Sequence, residues 1–329
     1  MANLPLTFAC GLYDRMLPLY TGEVRPEGID LNFLAFDWPR DIFDRMAGKQ
    51  EFDASELSIS ELISRIAADQ CPFAAIPVFP SRVFRHGYIT VDRRVIRSPK
   101  DLAGKRIGVP LYTMTAAVFM RGLLSEDHGV DLSGVQWVEG SINSATPHGS
   151  PTVLPPVKPV SIVRNESGRS LSDLLEASEI QAILGTSLPA AIKTNPNIAR
   201  LFPDFRDVEK DYYTRTRIFP IMHAVVIRRD VYRKHPFVAA SLYRALCESK
   251  DRALAKMRYL GALRYMLPWL PSDLDEIDEV FGGDPWPYGI EPNRPTLEAA
   301  IRYMVEQSLI AAPLAVEDIF EPLRDGAVF

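Results

Sequence analysis

The stretch Thr216-Arg217-Ile218-Phe219-Pro220-Ile221-Met222-His223-Ala224-Val225-Val226-Ile227-Arg228-Arg229 decides how the rest of the chain is read. Ile218, Ile221, Ala224, Val225, Val226 and Ile227 give it the apolar, β-branched character of a buried strand. Pro220 cannot donate to a ladder, so it marks a bend or an edge. Asp230 then opens a long helical segment. His223 stands in the middle of the apolar run. A lone His in such a strand is more often a hydrogen-bonded core residue than a reactive one. Its interest lies in its place between two large blocks of α/β pattern, where a cleft is expected.

Upstream, Leu6 to Cys10 reads as a strand that stops at Gly11 and releases the loop Leu12-Tyr13-Asp14-Arg15. That is a common layout for binding loops in open α/β sheets. After the turn Pro26-Glu27-Gly28 come a strand, Ile29 to Phe36, and a short helix, Asp41 to Ala47, closed by Gly48. Phe52 to Ser58 runs into a helix, Ile59 to Asp69, which Ser58 or Ser60 can cap. Ser55 and Glu56 cluster at that junction, and a carboxylate at a strand end often faces a crevice. Phe73 to Phe79 is a buried strand. It leads into Ser81-Arg82-Val83-Phe84-Arg85-His86 and a further strand, Gly87 to Val91.

The same unit recurs at Ile107 to Val109. Here Pro110-Leu111-Tyr112-Thr113-Met114-Thr115 opens a helix, Ala116 to Leu124. Free N–H groups there, with Tyr112, Thr113 and Thr115, suit a carboxylate; alternatively a threonine simply caps the helix. Gln136 to Glu139 is a strand. Ser141 to Pro159 is irregular and carries His148, and a loop of this length is usually functional or disordered. Ser170 and Asp173 form a capping pattern for Leu171 to Ala177. Ile180 to Leu184 is a strand ending at Gly185-Thr186-Ser187, and Tyr212-Tyr213-Thr214 leads into the His223 strand. Beyond Asp230, Pro236 to Met257 has helical spacing. Leu260 to Leu267 continues it, Phe281 to Gly289 is an aromatic-rich loop, and Thr296 caps a last helix, Leu297 to Gln307.

A chain of 329 residues is long for one core. The alternation predicts two α/β lobes joined by two chain crossings. Lobe 1 is residues 1–95 plus 224–329, with the C-terminal helices, and lobe 2 is residues 96–223. This describes a two-lobed type II periplasmic-binding-protein-like fold with an interlobe cleft. The cleft is expected to be lined near Tyr13, Ser55-Glu56, Tyr112 to Thr115, Thr186 and His223.

Composition narrows the function. The chain is 47% hydrophobic and 24% charged, ordinary for a globular protein, and its net charge of −5 offers no field for nucleic acid. Cys10, Cys71 and Cys247 form no metal spacing, and so sparse a set suits a reducing compartment. The start, M-A-N-L-P-L-T-F-A-C-G, has no basic n-region and no useful apolar run, and no window approaches the ~18 residues of a membrane span. A cytoplasmic protein without a membrane partner is expected. There is no G-x-G-x-x-G after a strand, no Walker loop, no G-x-S-x-G and no H-E-x-x-H.

Six segments together are distinctive: C-G-L-Y-D-R from Cys10, V-R-P-E-G-I from Val24, V-E-K-D-Y-Y from Val208, I-F-P-I-M-H-A-V-V-I-R-R-D from Ile218, G-A-L-R-Y-M-L-P-W-L from Gly261 and F-G-G-D-P-W-P-Y-G from Phe281. Nearly end to end, the chain resembles the 4,5-dihydroxyphthalate decarboxylases. It departs from them at Thr186-Ser187-Leu188-Pro189, where relatives often carry an Arg shortly after the Gly185 position. The resemblance implies a carboxy-lyase of phthalate degradation, part of aromatic catabolism, that turns a dihydroxylated phthalate into protocatechuate and CO₂. Such chemistry needs an acid at the ring carbon, help in ionising the phenol, and cations or N–H dipoles for the dianion.

His223 and His148 are the candidates for acid and phenol partner. Glu56 and Asp14 follow as bases or as orienters of a His. Arg15, Arg82 and Arg85 suit carboxylates, and Tyr112, Thr113 and Thr115 suit the other carboxylate or the diol. No organic cofactor is expected, since the phenol is the electron sink. Two His, a Glu and a catechol are also a reasonable ligand set for a divalent metal, which no spacing indicates. The expected partner is a small aromatic dicarboxylate, and a homo-oligomer is compatible with the sequence. The alternative functions are a non-catalytic solute-binding or sensor protein for an aromatic carboxylate, and a decarboxylase or hydrolase of a related hydroxybenzoate.

Overall fold

A computed structural model describes residues 2–146 and 153–323, and two β-sheets carry the chain. The first sheet is begun by β1 (Leu4–Gly11), β2 (Ile29–Phe36), β3 (Ala54–Ser58) and β4 (Phe73–Arg82). The second takes β5 (Ile89–Asp92), β6 (Arg106–Val109), β7 (Gln136–Glu139), β8 (Ile162–Arg164), β9 (Ala182–Leu184) and β10 (Ile198–Arg200). The chain then returns as β11 (Ile221–Arg228), which enters the first sheet between β3 and β4. The strand orders are β2-β1-β3-β11-β4 and β10-β5-β9-β6-β7-β8. β1 is parallel to β2 and β3, whereas β11 is antiparallel to both its neighbours. An antiparallel strand buried on both sides in an otherwise crossover-built sheet needs the near-continuous apolar run seen at Ala224 to Ile227.

Helices cover the sheets: α1 (Leu17–Tyr20), α2 (Pro39–Lys49), α3 (Ile59–Ala67), α4 (Thr115–Glu126), α5 (Leu171–Glu176), α6 (Phe205–Thr216), α7 (Arg229–Lys234), α8 (Phe237–Arg258), α9 (Leu270–Phe281) and α10 (Arg294–Glu306). No helix of the described residues is long and apolar enough to cross a membrane.

The sheets divide the chain at other residues than 95 and 223. β5 already pairs with β9 and β10, so the first crossing falls at residues 83–88. The second falls at residues 217–220, which leaves all of β11, with His223, in the first lobe. The C-terminal helices are not confined to that lobe either. The Tyr303 ring of α10 lies over Gly122 of α4, where a Cβ would come within 2.4 Å of the ring. Tyr303 Oη donates to Glu126 Oε2 at 2.7 Å, and Arg302 pairs with the same carboxylate. α10 therefore fastens the second lobe to the first.

Two local expectations fail for identifiable reasons. Thr216 to Pro220 is not strand, because α6 runs through Thr216 and ends on Arg217 in the left-handed region, φ 58°. Pairs one turn apart, Asp211 with Arg215 (2.8 Å) and Asp207 with Lys210 (2.6 Å), support that helix. Leu260 to Leu267 is not helix: α8 ends at Arg258, before Gly261, and α9 begins only beyond Pro268.

Candidate active site

The site grows from the end of β3. Glu56 and Ser58 share one face of that strand, and Leu57 and Ser55 take the other. β11 pairs Val225 with Glu56 and His223 with Ser58, so Glu56 and His223 are diagonal neighbours on one face. His223 Nδ1 lies 2.7 Å from Glu56 Oε2. The Glu56 side chain is fully buried and His223 is 15% exposed, so the pair is a closed carboxylate behind a ring that meets the cleft. With Nδ1 engaged, Nε2 is the nitrogen left for the cleft. Phe43 of α2 packs edge-on against the imidazole, centroids 4.8 Å apart.

Two further donors converge on Glu56. Gly11 N–H donates to Oε1 at 2.7 Å, and Tyr13 Oη donates to Oε2 at 3.1 Å. Gly11 is required here, because a Cβ would meet the Tyr13 ring at 2.9 Å as it folds back onto Glu56. Burial pushes the Glu56 carboxyl up. The hydrogen bonds from His223, Gly11 and Tyr13 outweigh it and hold the group below its ordinary value, hence ionised. The Tyr13 phenol is pushed well up, by burial and then by the Glu56 charge, so it stays a donor.

β4 shapes the other side of His223. The register between β11 and β4 shifts on both sides of His223, where Pro77-Val78-Phe79-Pro80 leaves the ladder. Prolines force this, since neither Pro77 nor Pro80 has an N–H to give. The carbonyls so released find partners elsewhere: Gly289 N–H donates to Pro77, the Trp286 indole to Phe79 and Arg15 Nε to Pro80.

A cavity of about 470 Å³ opens between the lobes at this point. The first lobe supplies Tyr13, Trp38, Pro39, Arg40, Phe43, Ser58, Ser81, Met222 and His223, and the first crossing supplies Arg85. The second lobe supplies Leu111, Thr113, Met114, Thr115, Ala116, Val153 and Thr186. Across the seam, Ser58 Oγ and Thr115 Oγ1 are 2.9 Å apart, and Ser60 N–H donates to Thr115 Oγ1 at 3.2 Å. The two helix starts, α3 and α4, thus meet at the cleft with their positive ends. Thr115 ties the lobes rather than capping α4.

Arg85 is 7% exposed and has no carboxylate within ion-pair distance among the described residues. Its Nη2 donates to Met222 Sδ at 3.0 Å, and its buried Nε has no partner. Burial lowers its guanidinium to about 10, so it remains charged at neutral pH. A buried cation without a counter-ion, on the wall of a cavity, is arranged for an anion.

Of the residues singled out in the sequence, Tyr13, Arg85, Thr113, Thr115, Thr186 and His223 line the cleft, and Glu56 sits directly behind His223. The others lie elsewhere. Ser55 points away from Glu56 by strand alternation and is buried. Asp14 and Arg15 face a neighbouring cavity of about 260 Å³. There the Arg15 guanidinium is clamped between Tyr13 and Trp286, at 4.4 and 4.2 Å from the rings. Arg82 is a structural tie, donating to Asn293 Oδ1 (2.7 Å) and the Phe219 carbonyl (2.8 Å). Tyr112 turns under α4, its hydroxyl donating to the Gln307 carbonyl at 3.1 Å. His148 lies outside the described residues. Sequence reasoning missed Trp38, Arg40 and Phe43, although Trp-Pro-Arg at a helix start was a readable signal: Pro39 is the first residue of α2. Among the described residues, no three His, Cys, Asp or Glu side chains converge as a metal set.

Known proteins give two kinds of match, while no protein-family model matches the chain. The fold is that of periplasmic binding proteins. The aliphatic sulphonate binding protein SsuA of Escherichia coli aligns over 98% of this chain and 93% of its own, with TM-score 0.50 and 11% identity. The alkanesulfonate-binding protein SsuA of Xanthomonas axonopodis pv. citri aligns over 98% and 99%, with TM-score 0.51 and 9% identity. Sequence relatives are much nearer. The 4,5-dihydroxyphthalate decarboxylase of Pseudomonas putida is 38% identical over 215 residues, 65% of this chain and 83% of the relative. That of Comamonas testosteroni is 36% identical over 325 residues, 98% of both chains. Identity of that order along the whole length, on the fold and cleft described above, places the chain in the 4,5-dihydroxyphthalate decarboxylase family.

Proposed function

We propose that the protein is a carboxy-lyase that converts 4,5-dihydroxyphthalate to protocatechuate and CO₂, with His223 as the acid. The observation that carries this reading is one cleft that joins the buried Glu56–His223 pair to Arg85, which has no ion-pair partner among the described residues. A cavity of about 470 Å³ also falls in the ~300–1,000 Å³ range of small-molecule sites.

The chemistry runs through the ring of the substrate. Loss of its proton from the phenol para to the departing group makes that carbon basic. Protonated His223, its charge stabilised by Glu56, passes the Nε2 proton to the carbon. The carbon–carboxylate bond then breaks, its electron pair restores the aromatic ring, and CO₂ leaves. The phenolate oxygen regains a proton, and the imidazole is recharged from solvent. Arg85 holds the carboxylate that stays. Ser81, Thr113 and Thr186 offer hydroxyls to the diol. Protonation turns the ionised phenol into a cyclohexadienone carbonyl, which takes up the electron pair as CO₂ leaves, so the step as written calls on no metal and no organic cofactor. A cytoplasmic site of action is part of this proposal, and cell fractionation tests it.

The decisive experiment follows protocatechuate and CO₂ from 4,5-dihydroxyphthalate, with and without EDTA, for wild type and His223→Ala. The expected result is turnover that survives EDTA and is lost in the variant. Turnover abolished by EDTA and restored by a divalent ion would overturn the metal-free scheme. Tight binding without turnover would instead make the protein a binder of aromatic carboxylates.

A further inference from the structure

The cleft holds a second guanidinium, and it is arranged differently from Arg85. Arg40 lines the cavity with Phe43, one turn along the same face of α2. Phe43 is the residue that packs on His223, so Arg40 continues the wall that carries the acid. Its charge is shared: Nε donates to Asp44 Oδ2 at 3.0 Å, and Nη2 lies 2.5 Å from Asp44 Oδ1.

A ring with two adjacent carboxylates brings two charges that need opposite treatment. The carboxylate that stays can be gripped as firmly as the site allows. The one that leaves must lose its charge as the bond breaks, so an ion pair stronger in the ground state than in the transition state slows the step. We infer, resting on the decarboxylase reading above, that Arg40 recognises the carboxylate that leaves while Arg85 holds the one that stays. Asp44 divides the charge of Arg40, so recognition does not become a trap. Arg40 is then the specificity residue that makes this a site for ortho-dicarboxylates rather than monocarboxylates. Asp44 is a positioning residue that acts through it.

Phthalate and benzoate lack the hydroxyls and do not react, so their binding can be measured by calorimetry apart from turnover. Arg40→Gln is expected to weaken phthalate about tenfold, the loss of one partly exposed charge-assisted contact, and to leave benzoate within about twofold. Retained benzoate affinity also reports that the variant is folded. Arg85→Gln is expected to weaken both ligands. Asp44→Asn is expected to lower KM and kcat for 4,5-dihydroxyphthalate together, each several-fold, because a guanidinium charge no longer shared with Asp44 favours the ground state. A merely structural Asp44 would not lower KM. Equal effects of Arg40→Gln on the two ligands, or an Asp44→Asn enzyme with unchanged or raised kcat, overturns the assignment while an active wild type keeps the decarboxylase reading. A wild type that binds phthalate but never turns over 4,5-dihydroxyphthalate overturns both.

Discussion

Replacing Glu56 with Gln keeps the shape of the buried side chain and removes its charge. In the wild type three donors meet that carboxylate: Gly11 N–H at 2.7 Å, His223 Nδ1 at 2.7 Å and Tyr13 Oη at 3.1 Å. A glutamine has one accepting oxygen, so one donor must face its NH₂ group. If the oxygen stays with Gly11, protonated His223 points an N–H at an N–H, and the acid form loses its support. A hydrogen bond to a charged group contributes ~1.5–3 kcal/mol, which is roughly a 10- to 100-fold loss in kcat. The assay is the initial rate of protocatechuate formation at neutral pH, with urea unfolding alongside. The pH dependence of stability supplies an independent sign. Burial raises the Glu56 carboxyl, but its hydrogen bonds, with the charge of His223, win and hold it below its ordinary value in the folded protein. The stabilisation from the ionised group is therefore complete above the unfolded value and is lost as pH falls through the lower folded one. The gap in stability between wild type and variant should be widest near neutrality and close in acid. An E56Q enzyme within twofold of wild type, or a gap that widens as pH falls, would refute the role given to this carboxylate.

Three further substitutions separate scaffold from site. Arg82→Met gives up the bonds to Asn293 and the Phe219 carbonyl but also removes a charge that burial has pulled down to about 9, so it should cost about 2 kcal/mol in urea unfolding and leave kcat/KM within twofold. Gly122→Ala drives a methyl into the Tyr303 ring and should destabilise by roughly 1–3 kcal/mol, read as a lowered Tm; an unchanged Tm would mean that α10 is not the fastening it looks like. Thr115→Val removes the hydroxyl that meets Ser58 and Ser60 across the seam, and a KM raised several-fold with little change in kcat would mark it as part of closure.

The period-two pattern and the helix starts made the two lobes and the cleft legible, and Glu56 stood among the candidates as a base or an orienter of a histidine. What escaped were features set by long-range geometry. Strand alternation should have separated Ser55 from Glu56, since neighbours on a strand face opposite sides, but their clustering at a strand end hid it. Arg82 and Arg85 look alike in Ser-Arg-Val-Phe-Arg. Only the crossing at residues 83–88 decides that one ties down Asn293 and the other meets the cavity. α6 was hidden by reading Tyr212-Tyr213-Thr214 as the approach to a strand, when the charge pairs one turn apart already favoured a helix. The contribution of α2 was lost because its start was placed at Asp41, two residues past the proline that begins it.

How the parts divide between the lobes bears on how a fold shared with binding proteins supports chemistry. Gly11, Tyr13, Glu56 and His223 all belong to the first lobe, and the hydrogen bonds among them stay within its sheet and the loop after β1. Opening the cleft therefore leaves the acid and its orienting carboxylate assembled. The second lobe contributes hydroxyls and the start of α4, groups that bind rather than transfer protons. With His223 as the proposed acid, the donor is thus organised before the substrate arrives, and closure adds only its enclosure. The proline-broken register of β4 serves the same end, because a regular ladder would hold His223 in the sheet like any other core residue. Releasing three carbonyls there is tolerable only because Gly289, Trp286 and Arg15 take them up. On this argument Trp286 and Arg15, which lie outside the cleft, are needed to keep the imidazole aimed. Their substitutions should lower kcat more than they raise KM.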